Sequence, residues 1–116
     1  MNEENTKVMD QDMEQICFQI IAFSGEAFSK MMEAMKVCRT GDYEKADEVM
    51  EEASDLLHQA HNAHTNLLVN EAQGKKVEFS VLLGHAQDNL MNTMLTKTLM
   101  EEMMSMYKEL KGERLA

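Results

Sequence analysis

The sequence predicts an all-α fold, an antiparallel three-helix bundle of up-down-up order, and three observations predict it. The 116 residues contain no proline, so the strongest helix breaker is missing throughout. Apolar residues, 44% of the chain, recur at alternating steps of three and four, the period of a one-sided helix. Two glycine-bearing interruptions, Thr40-Gly41-Asp42 and Gly74-Lys75-Lys76, divide the pattern into three segments. The connections are short, which forces neighbouring helices to run antiparallel.

The length suits one domain. Residues 1–11 are polar and acidic and read as a flexible lead-in, 12–111 form the bundle, and 112–116 are expected to fray. The first helix is expected from Asp12 to Arg39, with Met13, Cys17, Ile20, Ala27, Met31, Ala34 and Cys38 on its apolar stripe. A second set, Ile16, Phe23, Phe28, Met32 and Met35, widens that stripe enough for two neighbours. Gly25 falls in mid-helix at a cost of about 1 kcal/mol relative to alanine, which implies another backbone passing close by.

Gly41 can take the left-handed conformation that closes this helix, and Asp42 can cap the next. The second helix then runs from about Tyr43 to Ala72. Ala46, Val49, Met50, Ala53, Leu56, Leu57, Ala60, Leu67 and Leu68 face inward, and Glu44, Glu48, Glu51, Glu52 and Asp55 form a solvated acidic face. Gly74 supplies the second stop, with Lys75 and Lys76 near the negative helix end. After the link Val77-Glu78-Phe79, Ser80 caps a third helix that continues to about Lys111. Its Leu95, Leu99, Met100, Met103, Met104 and Met106 run almost around the circumference. Three helices cannot hide that much apolar surface, so self-association through this helix is expected.

The formal net charge is −10, which argues against nucleic acid or an anionic lipid surface as the ligand and favours basic partners. Thirteen methionines against four Phe, two Tyr and no Trp imply a core of methionine, leucine and alanine. Cys17 and Cys38 lie about six turns apart on one helix and cannot pair within it, so they read as reduced core thiols of a cytoplasmic protein. No secretion signal and no run of 18 apolar residues is found, and no membrane insertion is expected.

Chemistry concentrates on histidine. His58, His61 and His64 follow one another at steps of three on the second helix, a run that could offer two imidazoles to one metal. Inter-helix hydrogen bonding by His61 and His64 and plain exposure of His58 account for the same residues. His85 opens the third helix, with Asp88, Asn89 and Asn92 on roughly its own face and Leu83, Leu90, Met94 and Leu95 beside it. An imidazole at the seam between polar and apolar stripes suits either a group held rigidly for a partner or a buried, hydrogen-bonded core histidine. Phosphate-loop, nucleophile-elbow and Cys-x-x-Cys motifs are lacking. Phosphoryl carriage by His85 has a mechanism, because neutral imidazole is a nucleophile near pH 7 and Gln87, Asn89, Asn92 and the nearby helix amino end could donate to phosphoryl oxygens. A histidine phosphotransfer domain of two-component signalling fits poorly, since its lysine and glycine are expected where Ala86-Gln87-Asp88-Asn89 stand. A non-enzymatic helical adaptor binding through its methionine-rich surface is the rival from another class.

Val81-Leu82-Leu83-Gly84-His85-Ala86-Gln87-Asp88-Asn89-Leu90-Met91-Asn92-Thr93-Met94-Leu95 closely resembles the H-[AG]-Q-D-H-L-M-T-T/S stretch of lactose/cellobiose-type IIA components of the bacterial phosphoenolpyruvate-dependent sugar phosphotransferase system (PTS). The segments Ala22 to Lys30, Gly41 to Ala46 and Ala60 to Thr65 resemble the family's first helix, first turn and second helix in the same order. The resemblance implies a homotrimer of three-helix bundles. It implies that His85 takes a phosphoryl group from the phosphocarrier HPr and hands it to a cysteine of the IIB component, which serves the membrane component IIC. It further implies that Asp88 lies near the trimer axis and helps bind Mg2+ or another divalent cation, and that three carboxylates meeting there would otherwise repel. Asn89 stands where the family usually has a second histidine and His64 where it usually has glutamine, so His64 is expected as an added phosphoryl donor, with His61 beside it.

Overall fold

The computed structural model describes the backbone of residues 3–115 and the side chains of residues 12–112. Three helices follow one another: α1 (Glu3–Arg39), α2 (Tyr43–Ala72) and α3 (Val81–Leu115). They form the expected antiparallel bundle. It is a rod of 70 × 20 × 19 Å with a radius of gyration of 18.4 Å, against about 13 Å for a compact domain of similar length.

The bundle is built around α1, which packs extensively on α2 and on α3, whereas α2 and α3 touch little. Small residues at sevenfold spacing explain the close α1–α2 pairing. Ala27 and Ala34 on α1 and Ala46, Ala53 and Ala60 on α2 are fully buried, letting the two backbones approach along about two turns per step. Ile20, Met31 and Val49 from these two helices share one buried core with Leu83, Leu90, Met100 and Met104 from α3. Cys17 and Cys38 are buried and free, and burial is the main cause that pushes both thiols above their ordinary range.

Both turns use glycine for its conformational freedom. Gly41 has φ +93° and its N–H bonds the Cys38 carbonyl at 3.0 Å, after which Asp42 Oδ1 accepts from the Lys45 N–H at 3.2 Å. Gly74 has φ +84°, and the Lys75 N–H reaches back to the Asn70 carbonyl at 3.0 Å. A Cβ on Gly41 would meet nothing within 4 Å. Gly41→Ala should therefore show the conformational cost alone, about 1 kcal/mol of lost stability, read from the shift of the urea midpoint at constant slope.

Several expectations are corrected. The lead-in proposed for residues 1–11 is helical from Glu3, and α3 passes through Gly112 to Leu115 rather than ending near Lys111. Apolar periodicity marks only the part of a helix that packs; the backbone ladder runs on through Glu, Lys, Met and Gln when no breaker stands in the way. Residues 1, 2 and 116 lie outside the described residues. No atom other than its own helix lies within 4 Å of the Cβ position of Gly25, so no second backbone of this chain crosses there. Phe28 and Met32 are exposed, and Leu68, expected inside, lines a surface cleft with Val77 and Phe79. The sparse α2–α3 contact leaves that edge of the bundle open.

Helix α3 has two apolar faces. Leu83, Ala86, Leu90, Met100 and Met104 are buried, while Met91, Leu95, Leu99, Met103, Met106 and Leu110 are each half or more exposed on roughly the opposite side. Its far end is tied to the first hairpin by the Tyr107 hydroxyl, which donates to the Arg39 carbonyl at 3.0 Å, and by Lys108, whose Nζ lies 3.0 Å from Asp47 Oδ1.

Candidate functional site

The site is assembled at the amino end of α3. Ser80 Oγ accepts from the Leu83 N–H at 3.0 Å, so the helix start is capped by its own sequence. The Phe79 ring lies over Gly84, with Cζ 3.3 Å from the Cβ position there. Glycine at 84 lets the ring close on the first turn. His85 follows directly and is exposed, on the edge of the apolar α3 stripe rather than in the core. The core-histidine reading of this residue is thereby excluded.

Asn89, one turn on, is half-buried and bonds His85 twice. Its Nδ2 lies 3.1 Å from His85 Nε2 and donates to the His85 carbonyl at 3.1 Å. The Asn89 carbonyl in turn accepts from Thr93 Oγ1 at 2.7 Å, and Thr93 is buried. The imidazole thus rests on a chain of contacts that ends in the bundle core.

Gln87 points elsewhere. Its Nε2 lies 3.2 Å from Nε2 of His64, a residue of α2 that is 6% exposed. This bond spans α2 and α3 just beside His85, and it makes His64 a tie between the helices rather than a group reaching into solvent for a phosphoryl group. Asp88 and Asn92 are exposed, and among the described residues the side chain of neither forms a hydrogen bond or ion pair. By angle, Asp88 falls in the middle of the stripe formed by Met91, Leu95, Leu99 and Met106. His61 and His58 line a separate cleft with Met94, Lys97 and Thr98. Among the described residues no three His, Cys, Asp or Glu side chains gather as a metal-binding group, so the His58/His61/His64 run does not form such a centre within one chain.

Burial, and secondarily the neighbouring His61, lowers the His64 pKa from its ordinary 6.5. In the unfolded chain this ring takes up its proton near pH 6.5, and in the fold only below that, so the unfolded state binds more protons in the interval. The contribution of neutral His64 is complete above 6.5 and is lost as the pH falls toward the lower folded value. The urea midpoint should fall over that interval, and His64→Gln, which keeps an amide partner for Gln87, should flatten the dependence.

The sequence matches the family described as the PTS system lactose/cellobiose specific IIA subunit over residues 15–108. The chain belongs to that family. The match takes in all three helices and every residue of the His85 site. The PTS lactose-specific EIIA component of Staphylococcus aureus is 42% identical over 98 residues, 84% of this chain and 95% of that protein. The lichenan-specific phosphotransferase enzyme IIA component of Bacillus subtilis is 41% identical over 106 residues, 91% of this chain and 96% of that one. Among solved structures, the PTS cellobiose-specific enzyme IIA of Bacillus anthracis superposes with a TM-score of 0.81 at 45% identity, covering 84% of this chain and 90% of that chain. The chitobiose IIA protein in the complex of IIA with HPr from the Escherichia coli phosphotransferase system gives 0.74 at 33% identity, covering 84% and 95%. This IIA subunit is thus a three-helix chain with His85 open at the head of α3. Among its described residues, no helix is long and apolar enough to cross a membrane.

Gln87 was a site candidate from the sequence, but its pairing with His64 was not. Residues 23 apart on different helices give no local signal of contact, and only the register of α2 against α3 brings them together.

Proposed function

We propose that this chain is a cytoplasmic phosphocarrier of sugar uptake, which accepts a phosphoryl group on His85 from phosphorylated HPr and passes it to a cysteine of a IIB component. The observation that carries the reading is an exposed imidazole, anchored through Asn89 and Thr93, at the head of a helix in a IIA subunit. A ring-nitrogen lone pair of His85 attacks phosphorus as the bond from phosphorus to its carrier atom on HPr breaks, and the departing atom keeps that electron pair. In the second step the IIB thiolate attacks and His85 recovers its lone pair. No group other than phosphoryl changes hands, so the protein contributes positioning and charge stabilisation. Exposure lets two macromolecules approach in turn, and the −10 charge favours basic docking faces.

The same reading includes a homotrimer that covers the second apolar face of α3, with Asp88 of each subunit turned toward a shared axis. One unpartnered carboxylate per chain, in the middle of an apolar stripe, fits a cation held jointly by several copies. Mg2+ or another divalent cation bound there would offset the repulsion between carboxylates. The test is incubation with enzyme I, HPr and phosphoenolpyruvate. Stoichiometric, acid-labile phosphate on His85 is expected, and a protein that stays unlabelled while HPr is charged would defeat the proposal.

A further inference from the structure

We propose that His64 is a positioning residue for the His85 end of α3: its neutral ring holds that end against α2 through Gln87, and taking up a proton undoes the hold and slows phosphoryl uptake. Only the slowing of uptake rests on the phosphocarrier reading. Little contact joins α2 to α3. Among the described residues two side-chain contacts tie them, Asp47 to Lys108 at the far end and His64 to Gln87 beside the site. Around Gln87 the edge opens as a cleft of about 130 Å³ lined by Leu67, Leu68, Phe79 and Leu83. The bonds that steady the His85 imidazole, through Asn89 and Thr93, lie within α3 and travel with it. Where the imidazole stands relative to the rest of the bundle therefore depends on how this end of α3 is held.

The tie works in one protonation state. The Gln87 amide nitrogen only donates, so His64 Nε2, 3.2 Å away, must supply a lone pair, which it has when the ring is neutral. A proton arriving from solvent occupies that pair, and two donors then face each other at a position where His64 is 6% exposed. Burial, and then the neighbouring His61 on α2, favours the neutral ring, and no carboxylate of the described residues acts to offset them. Glu71, two turns along α2, lines the cleft with Gln87. From α1 this end of the core receives Cys17, whose thiol is kept protonated by burial and then by Glu14. His85 and Asp88 of α3 are exposed and turned to other sides of that helix than Gln87. A charged His64 thus gains no partner and loses Gln87. Since a misplacement of about 1 Å at a reacting group can cost about a hundredfold in rate, a loosened helix end suffices to slow transfer.

The experiment compares phosphoryl uptake from phosphorylated HPr by the full-length wild type and His64→Gln between about pH 8 and about pH 5.5. Glutamine keeps an amide partner for Gln87 and does not titrate in this range. Changes in HPr and in His85 itself are common to both proteins, so the ratio of the two rates isolates His64. That ratio, wild type over variant, should hold steady above about pH 7 and fall in acid, by at most about tenfold per pH unit for a single proton. His64→Ala, which leaves Gln87 without a partner at every pH, should be slow throughout while its helical circular dichroism is retained. Over the same range and without phosphate, the side-chain amide 1H–15N signal of Gln87 should shift with the midpoint of the His64 ring, a readout that stands even if His64→Gln folds poorly. A ratio that stays constant with pH, or a Gln87 signal indifferent to His64, overturns the inference. A Gln87 signal that follows His64 in a protein whose His85 is never labelled would instead overturn the carrier reading and leave the tie standing.

Discussion

His85→Ala is expected to take up no acid-labile phosphate from phosphoenolpyruvate, enzyme I and HPr, whereas the wild-type chain is labelled to about one phosphate per subunit. Loss should be complete rather than partial, because the nucleophile itself is removed and no other side chain at the head of α3 carries a comparable lone pair. His58 and His61 are exposed too, but they sit on α2 in a separate cleft with Lys97 and Thr98. A His58→Gln/His61→Gln double variant should therefore keep wild-type labelling. The substituted His85 ring is exposed, so the fold should hold, with a helical signal and a urea midpoint within about 0.5 kcal/mol of wild type. Equal labelling of His85→Ala and wild type would reject the assignment outright.

The second large effect concerns assembly. Asp88→Leu should remain associated in the presence of a chelator, under conditions in which the wild-type chain dissociates, as measured by sedimentation. Asp88 continues an exposed stripe whose remaining members, Met91, Leu95, Leu99, Met103, Met106 and Leu110, are apolar. Covering each such side chain is worth about 1.5–3 kcal/mol relative to leaving it in water. Opposing this, two carboxylates brought within about 4 Å repel by about 4 kcal/mol at an effective dielectric of 20. A cation relieves that repulsion, and so does leucine, which adds apolar area to the same face. Dissociation of Asp88→Leu where wild type stays assembled would show that the stripe does not meet itself around this residue. If instead Asp88→Leu and wild type respond alike to chelation, the coupling between metal and assembly is absent.

The two faces of α3 illustrate the division between sequence and structure. Apolar residues nearly around a helix announce more than one partner, but do not say which residues serve which partner. The structure assigns Leu83, Leu90, Met100 and Met104 to the chain's own core and leaves the Leu95 and Leu99 side uncovered. On α1 the same ambiguity ran the other way. Phe28 and Met32 shared the helical period with core residues, yet they lie on the flank away from α2 and α3. Gly25 suggested a crossing backbone that this chain does not supply.

Local chemistry determined the number of helices, both glycine turns, the Asp42 and Ser80 caps and the candidacy of His85, because each depends on residues within a turn or two of one another. That His85 and Asn89 meet was also implicit, since positions four apart on a helix are neighbours. The tertiary structure decided what no local rule could reach: that His64 is buried and tied to Gln87, that Tyr107 anchors α3 to the end of α1, and that the His85 ring stands in the open. Those facts depend on the rotation and register of one helix against another. They are set by the close fit of alanines 27, 34, 46, 53 and 60, a property of all the packed surfaces together and of no single segment.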